Sequence, residues 1–450
     1  MRVYYHLENR EPVLADSAAR ACRAEAWWCL ALSAWVAQSR GEAQAADSGF
    51  AAAVAAMPDS TRCAWDDITV LLPGEWRDRY AAMDCGMRAS VERRYWVLST
   101  PRLAASANEW RTEFLVRRVI TTLLASAVTP HRMGWGNDAE ELALRYGWPT
   151  AWSRTPPASA TTYEPGILGH DPAPSVHFGP NARLLDSAMV AASEQLDPLD
   201  VRATSRFAHP VIRRVAPVGM QLARFRRGDS TLIVAAWAAR DDSLLTPAVA
   251  IGAVLADGSV QTAPSGSQLV GRGRLTVVGT PQIAGVELSD SVRATFARAR
   301  AVYAATRDST AVVLSDLLLY RPADERAPEL ETALALAIPG DSVSVGAPLG
   351  VYWEAYGADS AAAELETSVL IERIDRGWVR AARQRLGLED PDSPVQIRWT
   401  EAGPATGGMT PRVLSLDLSL LPAGRYRLSV SVTPVTGAGV TTRREIELQR

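Results

Sequence analysis

Met220-Gln-Leu-Ala-Arg-Phe225, Arg227-Gly-Asp-Ser230 and Thr231-Leu-Ile-Val-Ala-Ala-Trp237 form the stretch on which the reading of the fold turns. Two runs suited to extended backbone flank a short segment centred on Gly-Asp, the pattern of a β-hairpin. Val249 to Val260 repeats it, with its turn at Asp257-Gly258. From about residue 200 onward the period stays near two and turn residues recur at short intervals, which identifies a β-rich C-terminal region. The same stretch contains the triplet Arg227-Gly-Asp229, known from adhesion sequences, but a hairpin turn accounts for it more simply.

Further strands are expected at Ala311 to Tyr320, at Gly350 to Tyr356, and in a closing pair, Val413 to Leu420 and Tyr426 to Val432, joined through Leu421-Pro-Ala-Gly-Arg425. Ala294 to Tyr303 reads as a strand and Arg376 to Leu386 as a short helix. A Leu-Pro-Ala-Gly-Arg-Tyr sequence followed by alternating residues is a closing feature of immunoglobulin-like sandwiches. Residues 200–325 and 326–450 therefore read as two consecutive β-sandwich modules.

Upstream, six prolines and three glycines between Arg154 and Pro180 make 153–199 a linker or a long loop. His170 and His177 lie in it, but a seven-residue step through loop is wider than zinc-ligand spacing. Residues 21 to 60 are helical in pattern and rich in alanine. Within them Gly41, Ala46, Phe50, Ala53 and Pro58 occupy the turn, small-residue, aromatic and terminal-proline places of a tetratricopeptide repeat. Ser33, Ala34 and Ala37 fit its first helix poorly, so a structural helical hairpin is the simpler expectation. Ten of the 14 tryptophans precede residue 153, which puts a large-residue core there. Residues 108 to 127 read as a long helix, with Ser106 or Asn108 as cap, Glu109 and Glu113 at its positive end, and Trp110, Phe114, Val119 and Leu123 as its apolar bulk.

Between that helix and the linker runs Met133-Gly-Trp-Gly-Asn-Asp-Ala-Glu-Glu-Leu-Ala-Leu-Arg-Tyr-Gly-Trp-Pro149. Its alternation reads as turn, short strand, turn, with Leu142, Leu144 and Tyr146 on one face and Gly147 and Pro149 as the stop. The segment resembles the signature of the GWxTD-domain proteins, a bacterial envelope-associated family to which no reaction is assigned. The matching positions are Gly134, Trp135, Asn137, Asp138, Leu142, Leu144, Arg145, Tyr146, Gly147 and Pro149, and upstream Tyr95-Trp96, Pro101, Asn108-Glu109, Glu113 and Arg117. The chain departs from the family pattern at Thr100, at Asn137, and at Ala139-Glu140, which replaces an Arg-Gly. The resemblance implies a cell-envelope or periplasmic location. It also marks Asn108, Glu109, Glu113, Arg117, Trp135, Asp138, Arg145, Tyr146, Gly147 and Pro149 as a motif set whose role reads as structural. Within it, Asp138 is expected to pair with Arg145, with Glu109 or Glu113 as further acids in reach.

Length and composition bound the rest. A chain of 450 residues, 47% of them hydrophobic, is long enough for about three domains with real cores. It has no lysine, so all 47 basic residues are arginine, a replacement better explained by a GC-rich genome than by a site. A net charge of −3 and scattered arginines give no field for nucleic acid or an anionic membrane. No stretch has the roughly 18 apolar residues of a membrane span, and no basic-then-apolar export signal opens the chain. The expectation is therefore either a cytoplasmic chain or a start downstream of a removed or missing export signal. Cys22, Cys29, Cys63 and Cys85 form no Cys-x-x-Cys pair. Cys22 and Cys29, seven apart, read as two small buried hydrophobes ahead of disulfide partners.

Catalytic patterns are missing: there is no Gly-x-Ser-x-Gly elbow, Walker loop or His-Glu-x-x-His pair, and Gly271-Arg-Gly273 lacks the rest of a dinucleotide loop. Of the histidines His6, His131, His170, His177 and His209, only His131 stands near the signature. Nothing points to a cofactor or a metal. The expected architecture is α+β and multidomain: an α-helical region with a tetratricopeptide-like hairpin over 1–98, a small α/β signature module over 99–152, the linker, then the two sandwiches. The expected role is a non-catalytic envelope scaffold with a protein partner. The alternatives are a hydrolase-like enzyme with a pocket at the signature turn, using Glu109, Glu113 or Asp138 as paired acids, and carbohydrate binding through exposed Trp353, Tyr352 or Trp399.

Overall fold

A computed structural model describes the chain except for residues 73, 126–136, 148–150, 155–166, 171–178, 181, 186–193, 196–211, 241, 304–311, 324–328, 358–363, 376–393 and 435–437. Gly134, Trp135, Pro149, His131, His177, His209 and the expected helix at Arg376 to Leu386 lie outside the described residues, as do the side chains of Asn137, Asp138 and His170. An α-helical N-terminal region is followed by a C-terminal region of several β-sheets. The chain divides into two compact units, the first carrying the N-terminal helices and the second most of 216–450. Among the described residues no helix is long and apolar enough to cross a membrane.

The first unit contains α1 (Arg2–Glu8), α2 (Pro12–Arg20), α3 (Ala26–Ser39), α4 (Ala43–Ala55), α5 (Asp59–Trp65), α6 (Gly74–Ala81), α7 (Cys85–Ser99), α8 (Glu109–Leu124) and α9 (Asn137–Tyr146). α3 and α4 form the expected helical hairpin. Gly41 turns between them at φ +77°, and a side chain at Gly49 would meet the Ala34 methyl at 3.0 Å, so small residues set the close approach. Ala46, Phe50 and Ala53 are fully buried. α8 is the expected long helix. Asn108 caps it by accepting from the Arg111 amide at 3.0 Å, and Trp110, Phe114 and Val119 are fully buried.

Three expectations are corrected here. The first is the strand at Glu141 to Tyr146, which is helical. Ala, Glu, Leu and Arg are strong helix formers, and the burial follows a helix: Ala143 and Leu144 are buried neighbours while Leu142 is exposed. Gly147, at φ +90°, ends it by donating its amide to the Ala143 carbonyl at 2.9 Å. The second is the linker or long loop over 153–199 read as free of regular elements, since within it β2 (Ile167–His170) pairs antiparallel with β1 (Ala151–Arg154). No proline falls inside either strand, and Pro165 and Pro172 flank the second. The third is the reading of Cys22 and Cys29 as two small buried hydrophobes. Cys22–Cys29 and Cys63–Cys85 are disulfides with Cα separations of 5.6 and 5.8 Å, and none of the four residues is deeply buried.

The remaining strands are β3 (Glu194–Gln195), β4 (Arg214–Ala216), β5 (Val218–Arg227), β6 (Ser230–Ala239), β7 (Ala248–Leu255), β8 (Val260–Pro264), β9 (Val270–Val278), β10 (Pro281–Asp290), β11 (Thr295–Val302), β12 (Val312–Leu314), β13 (Leu318–Tyr320), β14 (Ser342–Ser344), β15 (Leu349–Gly357), β16 (Glu364–Arg373), β17 (Val395–Ala402), β18 (Met409–Leu416), β19 (Gly424–Pro434) and β20 (Val440–Gln449). The β5–β6 hairpin has the expected register, Arg227 facing Ser230 and Met220 facing Trp237. The second hairpin also forms, Val254 facing Val260 with Gly258 at φ +84°.

In the second unit four sheets stack as layers. Sheets β11-β10-β7-β8 and β5-β6-β9 enclose a core that includes Trp237, Ile251, Val277 and Leu288. Sheets β13-β15-β18 and β14-β20-β19-β16-β17 enclose another that includes Val351, Trp353, Leu428 and Ile446. A third core joins the two inner sheets: Phe225 and Val234 meet Leu318, Tyr320 and Tyr352, with α10 (Leu330–Ala335) alongside. This explains why β6 and β15 are buried on both faces and read as near-continuous apolar runs. β18 and β19, expected as a closing pair, belong to different sheets: β18 pairs with β15, and β19 with β16 and β20. The Leu421–Arg425 segment thus crosses between layers.

Candidate functional site

The motif residues upstream and downstream of 126–136 meet in the fold, on the facing sides of α8 and α9. Arg117, in the middle of α8, is 2% exposed. Its Nε donates to Glu113 Oε1 at 2.9 Å, one helical turn back, and its Nη1 donates to the carbonyls of Leu144 and Arg145 at 3.1 and 3.0 Å. The guanidinium also lies 5.0 Å from the Trp110 ring centroid. A helix ends with unpaired carbonyls and a partial negative charge, and a buried guanidinium satisfies both. Arg117 is thus the C-terminal anchor of α9. Glu113 is fixed from the other side by Gln38 of α3, Nε2 to Oε2 at 2.9 Å.

The neighbouring motif residues are committed in the same way. Asn108 Nδ2 donates to the Trp96 carbonyl at 2.9 Å and to Thr100 Oγ1 at 3.0 Å, tying α7 to the cap of α8. Glu109 is paired with Arg102 at 2.8 Å. Arg145 Nε donates to the Val70 carbonyl at 2.8 Å, and its guanidinium lies 3.8 Å from Glu141 and near the face of Tyr146. Among the described residues Glu109 meets Arg102 and Glu113 meets Arg117, while Arg145 meets Glu141 and the Val70 carbonyl. A helix turns Arg145 away from the direction a strand would have given it.

Beside this lies a polar network that the sequence reading passed over. Arg88 Nη1 binds Asp67 Oδ2 at 3.1 Å, while its Nε and Nη2 donate to the carbonyls of Tyr80, Met83 and Ala81. Arg118 donates to the Asp67 carbonyl and lies 3.7 Å from Glu140. The Tyr80 hydroxyl donates to Glu92 Oε1 and accepts the Ile68 amide at 3.4 Å. Burial pushes Glu92 up to about 7, the Tyr80 hydroxyl works against this, and Asp66 and Asp67 add to the rise. Burial likewise raises Asp66, against Arg111, Arg62 and Arg118. The adjacent acids Asp66-Asp67 were the available sequence signal. Tyr80 and Glu92 come together only through the packing of α6 on α7.

Other sequence candidates resolve plainly. Arg227 of the Arg-Gly-Asp triplet holds Glu354 in a two-pronged pair, while Gly228 and Asp229 are exposed in the hairpin turn. Trp353 and Tyr352 are 1% and 2% exposed, so neither offers the open aromatic face that carbohydrate binding requires. Trp399 is half-buried against the outer core. Among the described residues no group of three or more His, Cys, Asp or Glu side chains could hold a metal ion.

No family model and no curated protein matches this sequence. Among solved structures, the transglutaminase of red sea bream is 12% identical, covering 51% of this chain and 31% of its own, with a TM-score of 0.17. A tetra-tandem repeat from the extending region of a large adhesion protein is 14% identical, over 52% of this chain and 49% of its own, at TM-score 0.16. A Ca2+-stabilised adhesin with which an Antarctic bacterium binds ice is 10% identical over the same shares, at TM-score 0.17. The chain spans less than half the length of these three solved chains. At such scores the likenesses carry no argument about fold or function.

Proposed function

We propose that this chain is a non-catalytic scaffold of the bacterial cell envelope that engages a protein partner. One observation carries the reading. The buried Arg117, the motif's central cation, is spent on Glu113 and on the end of α9. A catalytic arginine or acid needs a face turned to substrate, and Asn108, Glu109, Glu113 and Arg145 likewise bind side chains and backbone of this chain. The meeting of 108–117 with 144–147 also favours treating both segments as one GWxTD-like module. The hairpin of α3 and α4 is in keeping with a tetratricopeptide-like element.

Two disulfides in the helical unit favour an oxidising compartment, since such bonds persist outside the cytosol. For the second unit we propose two immunoglobulin-like sandwiches. The reading is supported by the crossover of β18 and β19 between sheets, and by the Tyr426 hydroxyl, which donates to the Pro422 carbonyl at 2.8 Å as the corner tyrosine of such domains does. The test is fractionation of the native host with thiol trapping, combined with in-cell cross-linking. Recovery in the envelope fraction, with no alkylatable cysteine and a discrete cross-linked species, is expected. Recovery only in the cytosol with four reactive thiols would overturn it.

A further inference from the structure

The network around Tyr80 contains an acid that forms no ion pair among the described residues, although Arg88 lies near enough to favour its charged form. Glu92 on α7 is 9% exposed, and it accepts a hydrogen bond from the Tyr80 hydroxyl on α6. The guanidinium one turn away, Arg88, directs its N–H groups to Asp67 and to three backbone carbonyls. The connection after α5 brings Asp66 and Asp67 toward the same place, while Arg111 and Arg118 of α8 face those two acids. Glu140 of α9 in turn faces Arg118.

What Tyr80 holds matters as much. Its oxygen accepts the Ile68 amide, at the start of the 3-10 turn Thr69–Leu71. Within that turn the Val70 carbonyl receives Arg145 of α9, and just before it the Asp67 carbonyl receives Arg118 of α8. Segment 66–72 therefore carries bonds from the Glu92–Tyr80 pair on one side and from the motif helices on the other.

We propose that Glu92 and Tyr80 form a proton-operated latch on segment 66–72, and through it on the seat of α9. Protonated, Glu92 is a neutral partner that both accepts the tyrosine hydroxyl and has its own O–H to donate. On deprotonation the proton leaves for solvent and a carboxylate remains in a buried site beside two other acids. The tyrosine hydroxyl and Arg88 offset part of the cost of that charge, but burial outweighs them, so opening of segment 66–72, which lets water reach the carboxylate, becomes easier. Folded Glu92 keeps its proton up to about 7, above its ordinary 4.5. The folded state therefore binds the extra proton between those values, and the latch weakens as pH rises through them.

The test is hydrogen exchange of the full-length protein, read at the peptide covering 66–72 and corrected for the intrinsic pH dependence of exchange. Protection in the wild type should fall about tenfold between pH 5.5 and 8, the change that follows from about 1.4 kcal/mol. Glu92→Gln should abolish that pH dependence. Asp66→Asn, which removes a neighbouring charge and leaves Glu92 in place, should move the midpoint to lower pH. Equal wild-type protection at both pH values, a parallel fall in Glu92→Gln, or an unmoved midpoint in Asp66→Asn would each overturn the latch.

Discussion

Arg227 and Glu354 form a two-pronged ion pair, Nη1 to Oε2 at 2.6 Å and Nη2 to Oε1 at 2.9 Å, in which the carboxylate is 1% exposed. The Tyr352 and Tyr356 hydroxyls donate to the same carboxylate, and the Glu354 amide donates to Ser315 Oγ. Glu354 sits on the face of β15 that meets the β5-β6-β9 sheet. Its bonds seal one end of the inner core.

Removing one member of such a pair strands the other. Arg227→Ala should destabilise the second unit toward the lower end of about 3–5 kcal/mol, because Arg227 itself is partly exposed. Asp229→Ala, which changes the Arg-Gly-Asp triplet at the hairpin turn, should leave the melting temperature almost unchanged. Denaturant unfolding of the two variants checks the contrast, and equal effects would remove the structural account of the triplet.

The inner core makes the two pairs of sheets one cooperative body. Gln221 on β5 donates to the carbonyls of Leu319 and Ile338, at 2.9 and 2.7 Å, and accepts the Leu319 amide at 2.6 Å. A fragment of residues 200–450 should therefore melt in a single transition. A fragment of 200–325 should aggregate, because Phe225, Val234 and Ala236 lose their cover. Two separate transitions in 200–450 would show the sheets to be independent modules.

Asp316 gives this unit its own pH dependence. Burial raises its pKa, but Arg224, bound through both carboxylate oxygens at 2.9 and 3.1 Å, outweighs this and holds the acid below its ordinary value. A depressed acid contributes stability above its unfolded pKa, near 4, and loses it as pH falls through the folded value. The second unit should lose stability below about pH 4, and Asp316→Asn should already lack that contribution at pH 7. Thermal melts from pH 3 to 7 measure both.

All four cysteines lie in the helical unit, so reduction should act there alone. The Cys63–Cys85 bond closes a 22-residue separation that contains Asp67 and Tyr80. Loop-closure entropy puts its contribution at about 3 kcal/mol. Calorimetry with and without reductant should show one shifted transition and one unshifted transition. A shift in both would contradict the assignment.

The period-two pattern made both early hairpins legible, down to Gly258 in its turn, and the Ala294–Tyr303 strand as well. The layering was not legible, because a strand buried on both faces loses its alternation: β6 could be read as a strand but not as the middle of a stack. The alternation from Glu141 to Tyr146 misled because Leu142 and Leu144 lie two apart, opposed on a helix and aligned on a strand, and only the burial of Ala143 decides. Of the site, Asn108 as cap and Glu109 in the first turn were readable from local chemistry. The partners of Glu109, Glu113 and Arg145 were not, because Arg102, Gln38 and the Val70 carbonyl reach them only through tertiary packing.

The central claim is that the motif arginine Arg117 is an anchor. The direct measurement is hydrogen exchange across α9 (137–146), together with denaturant unfolding of the helical unit, in Arg117→Ala and Arg117→Lys. The account predicts that Arg117→Ala exposes α9 to exchange and costs about 3–5 kcal/mol. Arg117→Lys should recover only part, since a single ammonium cannot span Glu113 and two carbonyls. Native protection of α9 and unchanged stability in Arg117→Ala would contradict it.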